Sequence, residues 1–168
     1  MSVVYKGKWF TLEQEMVRMP DGKEFLAEWV SRTDGVRILA RRGDELLLSD
    51  EYREELGARD NRLPGGKVEN GHTPVEAAMA ELQEETGYRA ERWREIGSTQ
   101  AFAMVRYRLH YFEARELSFE PIDHDEGEDI RIRWVGLAEA ADMAVDGRIG
   151  EDLSALQILR LANREGLR

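Results

Sequence analysis

The sequence predicts an α/β protein: a mixed β-sheet sandwiched between helices, with an N-terminal β arm. Three observations carry this. Strand-like segments lie on both sides of a central helix, the order expected of a sheet packed by helices. That helix carries a full set of start and stop signals between 73 and 87. The chain has 168 residues, 42% of them hydrophobic, enough for one domain that buries roughly two thirds of its unfolded surface.

The elements follow in order. The first 30 or so residues read as strands, with the turn signal MPDGK at 19–23 between Phe10–Val17 and Glu24–Val30. Residues 1–34 form the arm and 35–168 the main domain. Val36–Ala40 and Glu45–Leu48 flank Arg41-Arg42-Gly43-Asp44 as a hairpin. Arg53 to Arg62 is polar and reads as a loop, and Leu63-Pro64-Gly65-Gly66 is a cluster of breakers. The central helix comes next. Strand-like stretches recur at Arg106–Phe112 and Ile130–Val135. Between them, Glu116 to Asp129 reads as a loop, with six acids from Glu120 onward. Leu137–Met143 reads as a short helix. Asp152–Arg164 reads as an amphipathic one, from the spacing of Leu153, Leu156, Ile158, Leu159, Leu161 and Ala162.

Composition removes several classes of function. There is no cysteine, so disulfides, cysteine-ligated metal centres and a cysteine nucleophile are excluded. The formal net charge of -10 repels nucleic-acid backbones and anionic membranes, so neither is expected as a partner. No apolar run approaches the ~20 residues a membrane helix needs. The segment MSVVYKGKWF lacks the apolar stretch of a secretory signal. The expectation is a cytoplasmic protein acting on a small molecule.

The central helix carries the chemistry. Thr73 can N-cap it, Pro74 suits the first helical position, Glu76 completes a capping box, and Gly87 can take the left-handed position after its end. At about 100° per residue, Glu81, Glu84 and Glu85 fall within one arc of about 100°. Val75, Ala78, Met79 and Leu82 fall on the adjacent arc, as an apolar stripe. Like charges three and four residues apart weaken an isolated helix. A hard divalent cation reverses that penalty, because carboxylate oxygens are what Mg²⁺ binds. The alternative is a solvated acidic face. The glycine-rich loop Gly65–Gly71, at a fixed distance before the helix, favours the cation, because glycines let backbone groups approach a metal or a phosphate.

From Gly66 to Tyr88 the segment GKVENGHTPVEAAMAELQEETGY resembles the Nudix box, Gx5Ex7REUxEExGU, where U is a bulky aliphatic residue. Gly66, Glu81, Leu82, Glu84, Glu85 and Gly87 match in register. Two positions depart: His72 stands where the family has its first Glu, and Ala80 where it has its Arg. Those two residues brace loop against helix in the family, and here both partners are absent together. Beyond the box, Glu126-Gly127-Glu128-Asp129-Ile130-Arg131 resembles the ExEDIR stretch of the ADP-ribose pyrophosphatases, Glu51-Tyr52-Arg53 their (Q)(F/Y)R segment, and Gly147-Arg148-Ile149 the GxI element before their last helix. Pro64-Gly65-Gly66, where that subfamily has Pro-Ala-Gly, and the absence of a Pro-Gly-rich loop at Gln100–Val105 pull away from it.

The resemblance implies a Nudix fold and Mg²⁺ or Mn²⁺ held by Gly65, Glu81, Glu84, Glu85 and Glu128. It implies Glu126 as general base beside the catalytic Glu85, with Arg53, Arg32 and Trp29 binding substrate; Arg106 or Lys67 would add positive charge. The implied reaction is hydrolysis of a diphosphate bond, ADP-ribose giving AMP and ribose 5-phosphate, in a homodimer built through the arm. Hydrolysis of another nucleotide sugar or a nucleoside triphosphate is one alternative, and a non-catalytic nucleotide-binding module is another.

Overall fold

The computed structural model describes residues 1–54, 56–122 and 130–167. Its strands are β1 (Ser2–Lys6), β2 (Thr11–Arg18), β3 (Glu24–Ser31), β4 (Gly35–Arg42), β5 (Glu45–Arg53), β6 (Ala58–Arg62), β7 (Tyr88–Phe102), β8 (Val105–Phe119) and β9 (Ile130–Gly136). Its helices are α1 (Pro74–Thr86), α2 (Leu137–Asp146) and α3 (Asp152–Arg164).

The long strand β8 organises the sheet. One edge pairs antiparallel with β7; the other pairs in parallel with β3 at Val30–Ser31 and then with β4 over Gly35–Ala40. Strand β5 meets β4 at only two residue pairs, around the Gly43-Asp44 turn, and carries β6 and β9 antiparallel on its two sides. The arm is an antiparallel meander, β1–β2–β3, joined to the rest through β3 and β8. The result is a mixed sheet between helices, as the sequence predicts.

The near-continuous apolar runs of β4 and β5 are explained by cover on both faces, as in other buried strands. Val36, Ile38 and Ala40, with Leu47 from β5, pack against Ala77, Ala78 and Leu82 of α1. The alternate residues Leu39, Leu46 and Leu48 pack against Leu137 and Met143 of α2 and Ile158 and Leu161 of α3. Arg37 shares the register parity of Leu39, which aims a charged side chain at the α3 side of the sheet.

Helix α1 is capped as its sequence predicts. Thr73 Oγ1 accepts from the Glu76 N–H at 3.4 Å, and Glu76 Oε2 accepts from the Thr73 N–H at 2.8 Å. Gly87 sits at φ 71° and its N–H donates to the Gln83 carbonyl. The buried stripe differs from expectation: it runs through Ala77, Ala78, Leu82 and Thr86, while Met79 is exposed.

Three other expectations are corrected. Residues 53–62 are not a loop throughout, because Ala58–Arg62 pairs with the second half of β5. Residues 116–119 continue β8. Strand β7 carries no strict alternation, and the sequence reading passes over it. Part of its pairing rests on charge: Glu113 of β8, almost fully buried, accepts from Arg94 of β7, Arg41 of β4 and Arg115 of its own strand. Burial alone would raise the Glu113 pKa; the hydrogen bonds and charges of Arg94 and Arg115 outweigh it and hold it down at about 2.

Candidate active site

The turn after β6 leads chain 63–66 back along β4. The Ile38 N–H donates to the Pro64 carbonyl and the Val36 N–H to the Gly66 carbonyl, both at 2.9 Å. This pairing brings Gly65 and Gly66 against the acidic face of α1. The Gly65 N–H donates to Glu85 Oε2 at 2.9 Å. Gly66 packs so closely on Glu81 that a Cβ there would meet Glu81 Oε1 at 2.1 Å. The missing side chain is therefore a cradle for a carboxylate.

Glu81, Glu84 and Glu85 line one cleft of about 1180 Å³, together with Gly65, Gly66 and Glu51. Glu81 and Glu85 are half-buried and Glu84 is exposed. Loss of water pushes the Glu85 pKa up to about 8; the Gly65 N–H pulls it back, Glu81 raises it further, and Arg37 opposes that. Arg32, Arg37, Arg53, Arg62 and Lys67 line the same cleft. The lining holds five basic and seven acidic side chains among the described residues, and with Glu85 largely protonated at neutral pH the charged acids still outnumber the bases. A substrate bearing a diphosphate would meet net repulsion from the protein alone.

A hard divalent cation fits the donors present, all carboxylate or carbonyl oxygens. The glycine cradle places one of these carboxylates against the loop that supplies the Gly65 carbonyl. Among the described residues, no three acidic or histidine side chains are gathered into a finished ligand set.

The other expected residues divide. Arg53 lines the cleft; its Nη2 pairs with Glu51 at 2.7 Å, and its Nε is buried without a hydrogen-bond partner. Arg32 lines the cleft and lies over the Tyr107 ring at 4.6 Å. Lys67 lines it and pairs with Glu69. Trp29 does not line it: its ring lies under the Arg106 guanidinium at 4.7 Å, and Arg106 is held by Glu13 and Glu15. Position 29 sits mid-strand in the β2–β3 ladder, opposite Glu13, which packs the indole into the arm. Glu126 and Glu128 lie outside the described residues.

Three aromatic residues of the cleft were not anticipated: Trp9, from the turn between β1 and β2, Tyr107, from β8, and Phe102, at the end of β7. Lys67 Nζ stands 5.3 Å from the Trp9 ring. An exposed Trp beside Lys8 in a turn was the available signal for the first; nothing local marks Tyr107. His72 and Ala80 are both exposed, so the loop and helix are not braced at the two positions that depart from the box.

Residues 31–153 match the family described as the NUDIX domain, and the chain belongs to that family. It is 29% identical over 98% of its length to the "ADP-ribose pyrophosphatase" of Bacillus subtilis (strain 168), covering 91% of that protein. It is 27% identical over 93% of its length to the protein of the same name from Mycobacterium tuberculosis, covering 78% of it. The solved structure titled "Crystal structure of ADP compounds hydrolase" superposes with a TM-score of 0.82 at 24% identity, over 99% of this chain and 94% of that one. The protein is thus an enzyme of the Nudix hydrolase kind, similar to the ADP-ribose pyrophosphatases. No helix among the described residues is long and apolar enough to cross a membrane.

Proposed function

We propose that the enzyme hydrolyses the diphosphate of ADP-ribose in a reaction dependent on Mg²⁺ or Mn²⁺, releasing AMP and ribose 5-phosphate. The observation that carries this reading is the convergence of Glu81, Glu84 and Glu85 with the Gly65 backbone on a cleft that also presents Arg53 and Arg32.

Glu81, Glu84, Glu85 and the Gly65 carbonyl hold the cation, with Glu128 as a further ligand. When bound, the cation neutralises the diphosphate and makes water a better nucleophile. Arg53 binds a phosphate oxygen through its guanidinium. Arg32 and the Trp9 face offer a base the stacking and cation–π surface that Trp29, packed in the arm, does not. Glu126 takes the proton of the attacking water, whose oxygen forms the new P–O bond as the bridging P–O bond breaks. The arm displays Val3, Tyr5, Phe10, Met16, Phe25 and Leu26 as exposed apolar residues, a surface suited to a second copy and consistent with the homodimer that the family resemblance implies.

The test is ADP-ribose incubated with Mg²⁺ and then Mn²⁺, with AMP read by chromatography and Glu85→Gln as control. We expect cation-dependent AMP release that the variant abolishes without a fall in Tm, since a Gln oxygen can still accept the Gly65 N–H. Full activity in the variant would overturn the cation assignment. Intact ADP-ribose alongside hydrolysis of another nucleotide would overturn the substrate.

A further inference from the structure

From Val36 to Ala40 strand β4 is buried and apolar except at Arg37, a charged side chain that is buried as well, 8% exposed as a residue. A buried guanidinium is costly unless its donors are met. Here they are met from two directions. Nε donates to Glu151 Oε2 at 2.7 Å and Nη2 to Glu151 Oε1 at 2.5 Å, a two-pronged pair. Nη1 donates to the Val36 carbonyl at 2.9 Å and to the Gly65 carbonyl at 3.1 Å. Glu151 is the residue before helix α3 and also accepts from Ser154 Oγ at 2.5 Å. Ser154 Oγ in turn receives the Leu63 N–H at 3.4 Å.

One chain of bonds therefore runs from the start of α3 through Glu151 and Arg37 to the Gly65 peptide, and from the Gly65 N–H to Glu85. Pro64 and Gly66 receive backbone donors from β4; the Gly65 carbonyl receives the Arg37 side chain instead. We propose that Arg37 and Glu151 are a positioning pair, a neutral strut that clamps the Gly65 peptide between β4 and α3 and so sets where the Gly65 carbonyl and the Glu85 carboxylate stand. The strut performs from the opposite side of the loop the bracing that His72 and Ala80 do not supply. The cation role of the groups it positions rests on the reading above; the strut itself does not.

The experiment compares wild type with Arg37→Met/Glu151→Met, Glu151→Gln and Arg37→Lys. Three quantities are read: amide exchange at Gly65 in metal-free protein, Mn²⁺ affinity from the free-ion EPR signal, and Tm. The double variant removes both charges at once, so net charge stays fixed and geometry is tested alone. Replacing a buried ion pair by apolar residues is often neutral for stability. We expect Tm within a few degrees of wild type, Gly65 exchange about tenfold faster and Mn²⁺ binding about tenfold weaker. A merely structural pair predicts that recovery of Tm restores exchange and affinity too, and that result would overturn the proposal. Arg37→Lys, which keeps the charge and loses the fork, should not rescue the Gly65 amide; full rescue would also overturn it. Where the double variant does not fold, Glu151→Gln decides: faster Gly65 exchange supports the strut and unchanged exchange discards it. A wild-type protein that takes up no Mn²⁺ defeats the cation reading alone, and Gly65 exchange still decides the strut.

Discussion

A methyl group added at Gly66 would stand 2.1 Å from Glu81 Oε1, the tip of a side chain that can swing aside, whereas one added at Gly65 would stand 2.3 Å from the Val36 carbonyl oxygen, which is held in the sheet. Gly65 also has φ +141°, a conformation open to glycine and strained for other residues. The two neighbours should therefore fail differently. Gly66→Ala displaces the Glu81 carboxylate and should lower kcat/KM about 100-fold with Tm nearly unchanged. Gly65→Ala should cost about 2–5 kcal/mol of stability, a Tm fall on the order of 10 °C. Hydrolysis rates and thermal melts on both variants check this; equal Tm losses would refute the distinction. At this scale the sequence reading singled out the residues with strong spacing, Gly66, Glu81, Glu84 and Glu85, and the structure gathers them along one cleft. It missed Arg37 because a lone Arg in an apolar run gives no sign of its partner, and Glu151 lies 114 positions away. It named Trp29 and passed over Trp9, because neighbouring residues in sequence cannot show which aromatic the meander turns toward the cleft.

Helix α1 was legible end to end because its signals are local: cap, first-turn proline, capping-box glutamate and terminal glycine all act within four residues of the backbone groups they satisfy. Strand β7 was not, because its stability is not local. Its half-buried residues fall at 88, 90, 93, 96 and 99, nearer a period of three than two, and its register against β8 shifts between Glu95 and Gly97 and again between Gln100 and Phe102. A strand so bulged loses the alternation that marks strands in sequence. The contrast makes the cap a clean target. Thr73→Ala removes both the acceptor for the Glu76 N–H and the hydroxyl that donates to Glu76 Oε2. It should cost about 1 kcal/mol, a Tm fall of about 2–4 °C. The helix carries the cleft carboxylates but its cap lies at the far end of the loop, so kcat should hold within about twofold once folded. A large kcat loss at full folding would show that the helix start is coupled to the site.

For the molecule as a whole, the acid limit of stability is set in part where β4, β7 and β8 meet. The protein carries 34 acidic residues against 24 basic ones, and among the described residues most of the carboxylates stand partly or fully in solvent. Glu113 differs: its pKa lies at about 2 instead of the ordinary 4.5, because burial is outweighed by Arg94 and Arg115. With the folded pKa below the unfolded one, the unfolded chain binds the proton first as pH falls. The stabilisation is therefore complete above about 4.5 and is lost progressively as pH drops toward 2. Glu113→Gln leaves Arg41 almost fully buried with Glu165 as its remaining carboxylate, while Arg94 and Arg115 are exposed enough to reach water. At neutral pH the variant should be less stable by about 1–3 kcal/mol. Its Tm deficit relative to wild type should shrink as pH falls from 4.5 to 2, because wild type then loses the same charge by protonation. Melting both proteins across that range decides the matter. Parallel Tm curves would mean that the three arginines stabilise Glu113 equally in the unfolded chain, and that the joint between β7 and the rest of the sheet is held by packing instead of charge.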